Sequence, residues 1–308
     1  MRSYSYPSGC ARRQPAYIYR HSVRCRRRGW IIGALITCVT AFLSSCASAS
    51  SAHHLLTKPS PSHPSQSRAP TRNSGSEWKP GSDWKLTWSD EFRGTDSLRD
   101  WNLSTGSGWG NKQLQDYSRE NVAFGPSGGL IITASRDGHG IKCWYGACDY
   151  SSGRLDTKGL FQQEYGIFAA RIKLPAGHGL WPAFWMESAN PVSYGEIDVI
   201  ESSNKKPSLV SGFAHSSDIN QGAYLQLPTA LSAGYHIYAI EWTRNSLSWL
   251  VDGRTYGSVR IPAGAPFDQP FYLILDLAVG GNWPGAPDAA TVFPAYMYVS
   301  WVHVYSHK

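Results

Sequence analysis

From Trp84 to Tyr305 the chain repeats one pattern, short runs of alternating apolar and polar residues divided by turn residues, and no long stretch carries a helical period. Period two is what a half-buried strand requires, because successive side chains point to opposite faces of a sheet. It is visible in Gly166 to Pro175, in Tyr235 to Trp242 and in Met297 to Tyr305. The dipeptide Asp252-Gly253 within WLVDGRTYGSV predicts a tight hairpin. Many short strands spread over about 220 residues predict a single all-β domain with a substantial core, built as a two-sheet sandwich.

The rest of the chain has a different composition. Of 308 residues, the first 80 hold 12 Lys and Arg against the single acid Glu77, and the remainder hold 17 against 21. The formal charge of +7 therefore belongs to the leader, the body standing at −4, and no nucleic-acid footprint is expected. Arg24 and Arg26 to Arg28 precede the apolar run Trp30 to Leu43, which is short for a membrane span and suits an export signal. The following Leu43-Ser44-Ser45-Cys46-Ala47 resembles a bacterial lipobox, in which the cysteine is acylated; a cut after Ala47-Ser48-Ala49 is the alternative. The expected organisation is a leader over 1–46, a Ser/Pro-rich tether over 47–80 and the sandwich over 81–308. This predicts an exported monomer, secreted or held in the cell envelope, that meets a membrane only through lipid on Cys46. Export also suits the pair Cys143 and Cys148, for which a local disulfide is expected and two free thiols are the alternative. Their spacing lacks the further Cys and His that would suggest zinc.

The segment GEIDVIES places Glu196, Asp198 and Glu201 in a stretch that Ile197, Val199 and Ile200 mark as a strand. Glu196 and Asp198 share a face, whereas Glu201, five residues on, falls on the other unless one β-bulge intervenes. With a bulge, the two glutamates stand about four strand steps apart, roughly 13 Å between Cα atoms. Two inward-leaning Glu side chains would then bring the carboxyl groups to roughly 5–6 Å, near the ~5–5.5 Å separation of a retaining glycosidase. The alternative is an edge strand with its acids in water. Just upstream, however, GHGLWPAFWM supplies Trp181 and Trp185, flat apolar faces suited to sugar rings that a solvated strand has no need of.

Further motifs carry a resemblance. WGNKQLQDY (Trp109 to Tyr117), SGRLDTKGLF (Ser152 to Phe161), LWPAFWM, the EIDVIE strand, YHIYAIEW (Tyr235 to Trp242) and FYLILDLAVGGNWPG (Phe271 to Gly285) resemble glycoside hydrolase family 16. These are β-jelly-roll enzymes that include bacterial endo-β-1,3-glucanases, the laminarinases, and lichenases. The Glu-x-Asp-x-x-Glu spacing is similar to the laminarinase branch, since lichenases lack the extra residue. The resemblance implies Glu196 as nucleophile, Glu201 as acid/base and Asp198 alongside the nucleophile. It implies substrate contacts from Asn111, Arg154, Trp181, His215 and Trp283, with Trp185 and Trp109 serving either as platform or as core. Arg154 in a surface ion pair and His215 as a structural histidine are the alternatives.

Three departures stand out. The loop Asn190-Pro191-Val192-Ser193-Tyr194 lacks the Trp-Pro that many laminarinases carry there, which weakens the β-1,3 assignment, and Gln113 stands where the family often has Glu. Ser300 occupies the place of an Asp commonly used for structural calcium, which puts calcium in doubt, and no metal or other cofactor is expected in catalysis. The reading is a retaining endo-β-1,3-glucanase acting by double displacement. Its rivals are a hydrolase or transglycosylase of the same family acting on mixed-linkage or other β-glycans, and a polysaccharide-binding sandwich without chemistry. A binding module gains nothing from two close carboxylates that repel.

Overall fold

The computed structural model describes residues 78–308. The leader, Cys46 and the tether up to residue 77 lie outside the described residues. The strands begin with β1 (Trp84–Asp90), β2 (Asn102–Leu103), β3 (Gln115–Tyr117), β4 (Val122–Phe124), β5 (Leu130–Ala134), β6 (Lys142–Cys143) and β7 (Gly146–Ala147). There follow β8 (Tyr150–Ser152), β9 (Arg154–Asp156), β10 (Gly166–Lys173), β11 (Leu180–Ser188), β12 (Gly195–Glu201), β13 (Leu209–Ser216) and β14 (Asn220–Gln226). The last are β15 (His236–Thr243), β16 (Ser246–Val251), β17 (Arg254–Arg260), β18 (Phe271–Val279) and β19 (Ala295–His307).

Two antiparallel sheets form a β-jelly-roll sandwich. One has the order β17-β16-β15-β10-β19-β5-β4, with β1 also paired to β19, and the other has the order β14-β13-β12-β11-β18-β9-β2. The three alternating stretches of the sequence become β10, β15 and β19, neighbours in the first sheet. Their inward residues, among them Phe168, Ile240, Trp242 and Val304, meet Phe184, Met186, Ile197 and Leu275 of the second sheet in one buried cluster. Each such large side chain, fully buried, contributes about 1.5–3 kcal/mol.

The predicted hairpin joins β16 to β17. Asp252 and Gly253 have φ of +50° and +79°, as a two-residue type I′ turn requires. The Asp252 carboxylate also accepts from the Ile237 N–H at 2.8 Å. β18 departs from alternation, since all nine of its residues are buried. Its inner side chains lie in the core, while Tyr272, Ile274 and Asp276 form the floor beneath the outer face of the second sheet.

The bulge in β12 is explicit in the register. Asp198 pairs with Phe213 and Glu201 with Ser211, so Val199 and Ile200 together span the single residue Gly212. Both of these apolar residues are buried, and the carboxylates before and after them share the outer face. From the opposite sheet, the fully buried Trp249 donates its indole N–H to the Asp198 carbonyl at 2.8 Å. A Cβ on Gly212 would lie 2.2 Å from Trp249 Cδ1, so glycine there makes room for the indole.

Candidate active site

The outer face of the second sheet collects the carboxylates of β12 and the aromatic residues of its neighbours. On β11, Trp181, Ala183, Trp185 and Glu187 point the same way as Glu201, Asp198 and Glu196, because Ala183 pairs with Glu201, Trp185 with Asp198 and Glu187 with Glu196. On the other side of β12, His215 stands opposite Glu196. Its Nε2 lies 3.3 Å from Asp198 Oδ2 and its ring stacks on Phe213. That contact is within ion-pair range but lacks hydrogen-bond geometry, so Asp198 Oδ2 is buried without a hydrogen-bond partner.

Each glutamate receives one donor. Tyr194 Oη donates to Glu196 Oε2 at 2.8 Å, and Trp181 Nε1 donates to Glu201 Oε2 at 3.0 Å. Burial raises Glu196 above the usual carboxylate range, opposed by the Tyr194 bond and the His215 charge. Burial raises Glu201 further, the Asp198 charge adds to it, and the Trp181 bond opposes it. The Glu196 anion, the cause expected from the sequence, is the smallest of these contributions. Asp198 is held well above its usual range by burial and then by the charges of Glu196 and Asp276, which favours its protonated form.

One side of this centre is a packed polar-aromatic cluster. Asp276 accepts from Trp185 Nε1 at 2.7 Å and from Tyr117 Oη at 2.8 Å. The Arg154 guanidinium lies between the rings of Trp185 and Trp109, 4.9 Å from each centroid, and its Nε has no hydrogen-bond partner. Cation–π contacts of this kind fix a guanidinium while leaving its N–H groups for a ligand. On the other side, Trp283 meets Trp181 edge-on at 5.4 Å. The Asn111 carbonyl, in the loop between them, accepts from Asn282 N–H at 2.7 Å. Glu196, Asp198 and His215 bring one ligand atom each within 4.8 Å of one another, a set able to take a cation.

Paired carboxylates on one strand, with a wall of indoles and a guanidinium beside them, define a sandwich that cleaves polysaccharide. The chain belongs to the glycosyl hydrolases family 16, whose model matches residues 110–303. It is 38% identical over 256 residues to the beta-glucanase of Rhodothermus marinus, covering 72% of this chain and 85% of that one. It is 36% identical over 260 residues to glucan endo-1,3-beta-glucosidase A1 of Niallia circulans, covering 72% of this chain but only 38% of that longer relative. The crystal structure of the laminarinase catalytic domain from Thermotoga maritima MSB8 superposes with a TM-score of 0.68 at 37% identity, covering 73% of this chain and 99% of that one.

The structure brings together Glu196, Asp198, Glu201, Arg154, Trp181, Trp185, His215 and Trp283 on this face, with Asn111 on the adjoining loop. Arg154 is neither in a surface ion pair nor exposed, and Trp185 and Trp109 flank it rather than filling the core. Trp181 does more than line the wall, since its N–H reaches Glu201. Gln113 turns its side chain inward, accepting from Gln115 Nε2 at 2.8 Å. Cys143 and Cys148 are joined by a disulfide. Ser300 accepts from the Arg171 guanidinium at 2.7 Å. Sequence reasoning missed Tyr194, Asp276, Tyr117 and Glu187, the last of which accepts from Tyr272 Oη. A signal existed for one of them: Asp276 is the single acid inside the apolar run FYLILDLAV.

Proposed function

We propose that the chain is an exported, retaining endo-β-glucanase that hydrolyses β-1,3-glucan by double displacement, with Glu196 as nucleophile and Glu201 as acid/base. The observation that carries the chemistry is the bulge, which returns Glu201 to the face of Glu196, the arrangement a pair of carboxyl groups needs to act on one glycosidic bond. In the first step the protonated Glu201 donates to the leaving oxygen while the Glu196 carboxylate attacks the anomeric carbon. The ester so formed removes the charge on Glu196; water then attacks the anomeric carbon, giving a proton to the ionised Glu201 while the ester C–O bond breaks and restores the Glu196 carboxylate. Asp198 in its protonated form can donate to Glu196 and orient it. The β-1,3 linkage is supported by the relatives, and an oxidising compartment by the disulfide. No step requires a metal.

Digests of β-1,3-glucan, mixed-linkage glucan and galactan by the full chain should release reducing ends fastest from the first, with the β-anomer appearing first by NMR. Azide then separates the two glutamates on an activated β-glycoside. Glu201→Ala should give a β-glycosyl azide and Glu196→Ala an α-glycosyl azide, and the reverse pairing would exchange the two roles. Binding without new reducing ends on any polymer would leave a binding module in place of an enzyme.

A further inference from the structure

Beyond the cleft wall the chain builds a small, heavily fastened hairpin from β6 and β7, closed by the Cys143–Cys148 disulfide. At its tip Trp144 is 59% exposed, the most exposed tryptophan among the described residues. Leaving that much indole in water forgoes hydrophobic stabilisation, so a ring presented by a hairpin that several bonds hold in place calls for a reason beyond packing. The bonds tie the hairpin to the loop that borders the cleft. Trp144 Nε1 donates to the Gln113 carbonyl at 2.9 Å, Tyr145 Oη to the Leu114 carbonyl at 2.6 Å, and Ser107 Oγ to the Lys142 carbonyl at 2.7 Å. The same loop carries Trp109, which is 41% exposed and likewise turns its N–H to a backbone carbonyl, that of Gly106, at 2.9 Å. The Lys112 ammonium sits 5.9 Å from the Trp144 ring centroid, and Tyr145 meets the ring edge-on.

We infer that Trp144 is a sugar-stacking platform outside the catalytic cleft, which the hairpin presents to a β-glucan chain running on past Asn111. With the indole N–H already satisfied by protein, the ring offers its flat face, the group that packs on the C–H face of a pyranose. Lys112, whose ammonium lies over the ring, and its chain neighbour Asn111 are both exposed and supply donors for hydroxyl groups. The platform gains nothing from a short ligand that fills the catalytic centre alone, and it adds affinity once the chain is long enough to reach the hairpin.

This inference rests on the β-glucan reading, and one titration separates the two. Full chain carrying Glu201→Gln, which binds without turnover, is titrated calorimetrically with linear β-1,3-glucan oligosaccharides of increasing length, with and without Trp144→Ala. Affinity should rise with length and then step up again for the longest chains. Trp144→Ala should remove that last step, a loss of about tenfold, or 1.4 kcal/mol. Trp144→Phe, which keeps a ring but loses the N–H bond, should retain part of it, and far-ultraviolet circular dichroism checks that each variant is folded. If no oligosaccharide binds at all, the β-glucan reading fails. If binding grows with length identically in Trp144→Ala, or falls equally for short and long chains, the platform is overturned while the glucanase stands.

Discussion

At the scale of residues, the two glutamates are tuned by separate donors, so their titrations can be moved separately. The roles proposed above need Glu196 ionised and Glu201 protonated, and both groups sit above the usual carboxylate range. The Tyr194 hydroxyl stabilises the Glu196 anion. Its loss in Tyr194→Phe should raise the pKa of Glu196 and move the acid limb of the kcat/KM profile to higher pH. The Trp181 N–H stabilises the Glu201 anion, and Trp181→Phe should therefore move the alkaline limb to higher pH. Movement of the other limb in either variant would contradict these pairings. Glu196, Asp198 and Glu201 were legible because their spacing lies within one strand. Tyr194 was not: its loop is marked in the sequence only by the lack of Trp-Pro, and nothing in a residue's type tells where its hydroxyl ends. Asp276 and Tyr117 meet across 159 positions, and local periodicity is silent on such pairings.

At the scale of elements, the bulge of β12 is held from the far sheet. Trp249 spans the core to bond the Asp198 carbonyl, and Gly212 leaves it room. Gly212→Ala would press a methyl group against Trp249 and Tyr256 Oη, overpacking that costs about 1–3 kcal/mol. Thermal unfolding should report the loss, and kcat should fall more than KM rises, because the strain falls on the strand of Glu196, the proposed nucleophile, and not on the wall of indoles. Equal kcat at lowered Tm would mean that Trp249 supports the fold without setting the bulge. The bulge itself could be deduced from the position of Glu201. Its support could not, since a buried Trp in SLSWLV reads as ordinary core.

At the scale of the whole molecule, the alternation of β10, β15 and β19 revealed a sandwich, but the order of strands came only with the structure. β18 was the exception, an apolar run covered on both faces, because a continuous apolar stretch does not show which of its residues face outward. The prediction at this scale concerns the leader and tether. If Cys46 carries several acyl chains, the protein should partition with membranes, and Cys46→Ala should release it or stall its processing. Wild-type protein found entirely in the culture fluid, beginning after Cys46, would rule out the anchor. The doubly covered β18 also bears on how such an enzyme can diverge. The floor it gives the outer face is at once structural core, so a change at Ile274 or Asp276 is tested for folding before it is tested for preference. New specificities have to be explored from the rim, through loops such as the one around Asn111 and the segment ending in Tyr194, where a substitution leaves the sandwich intact.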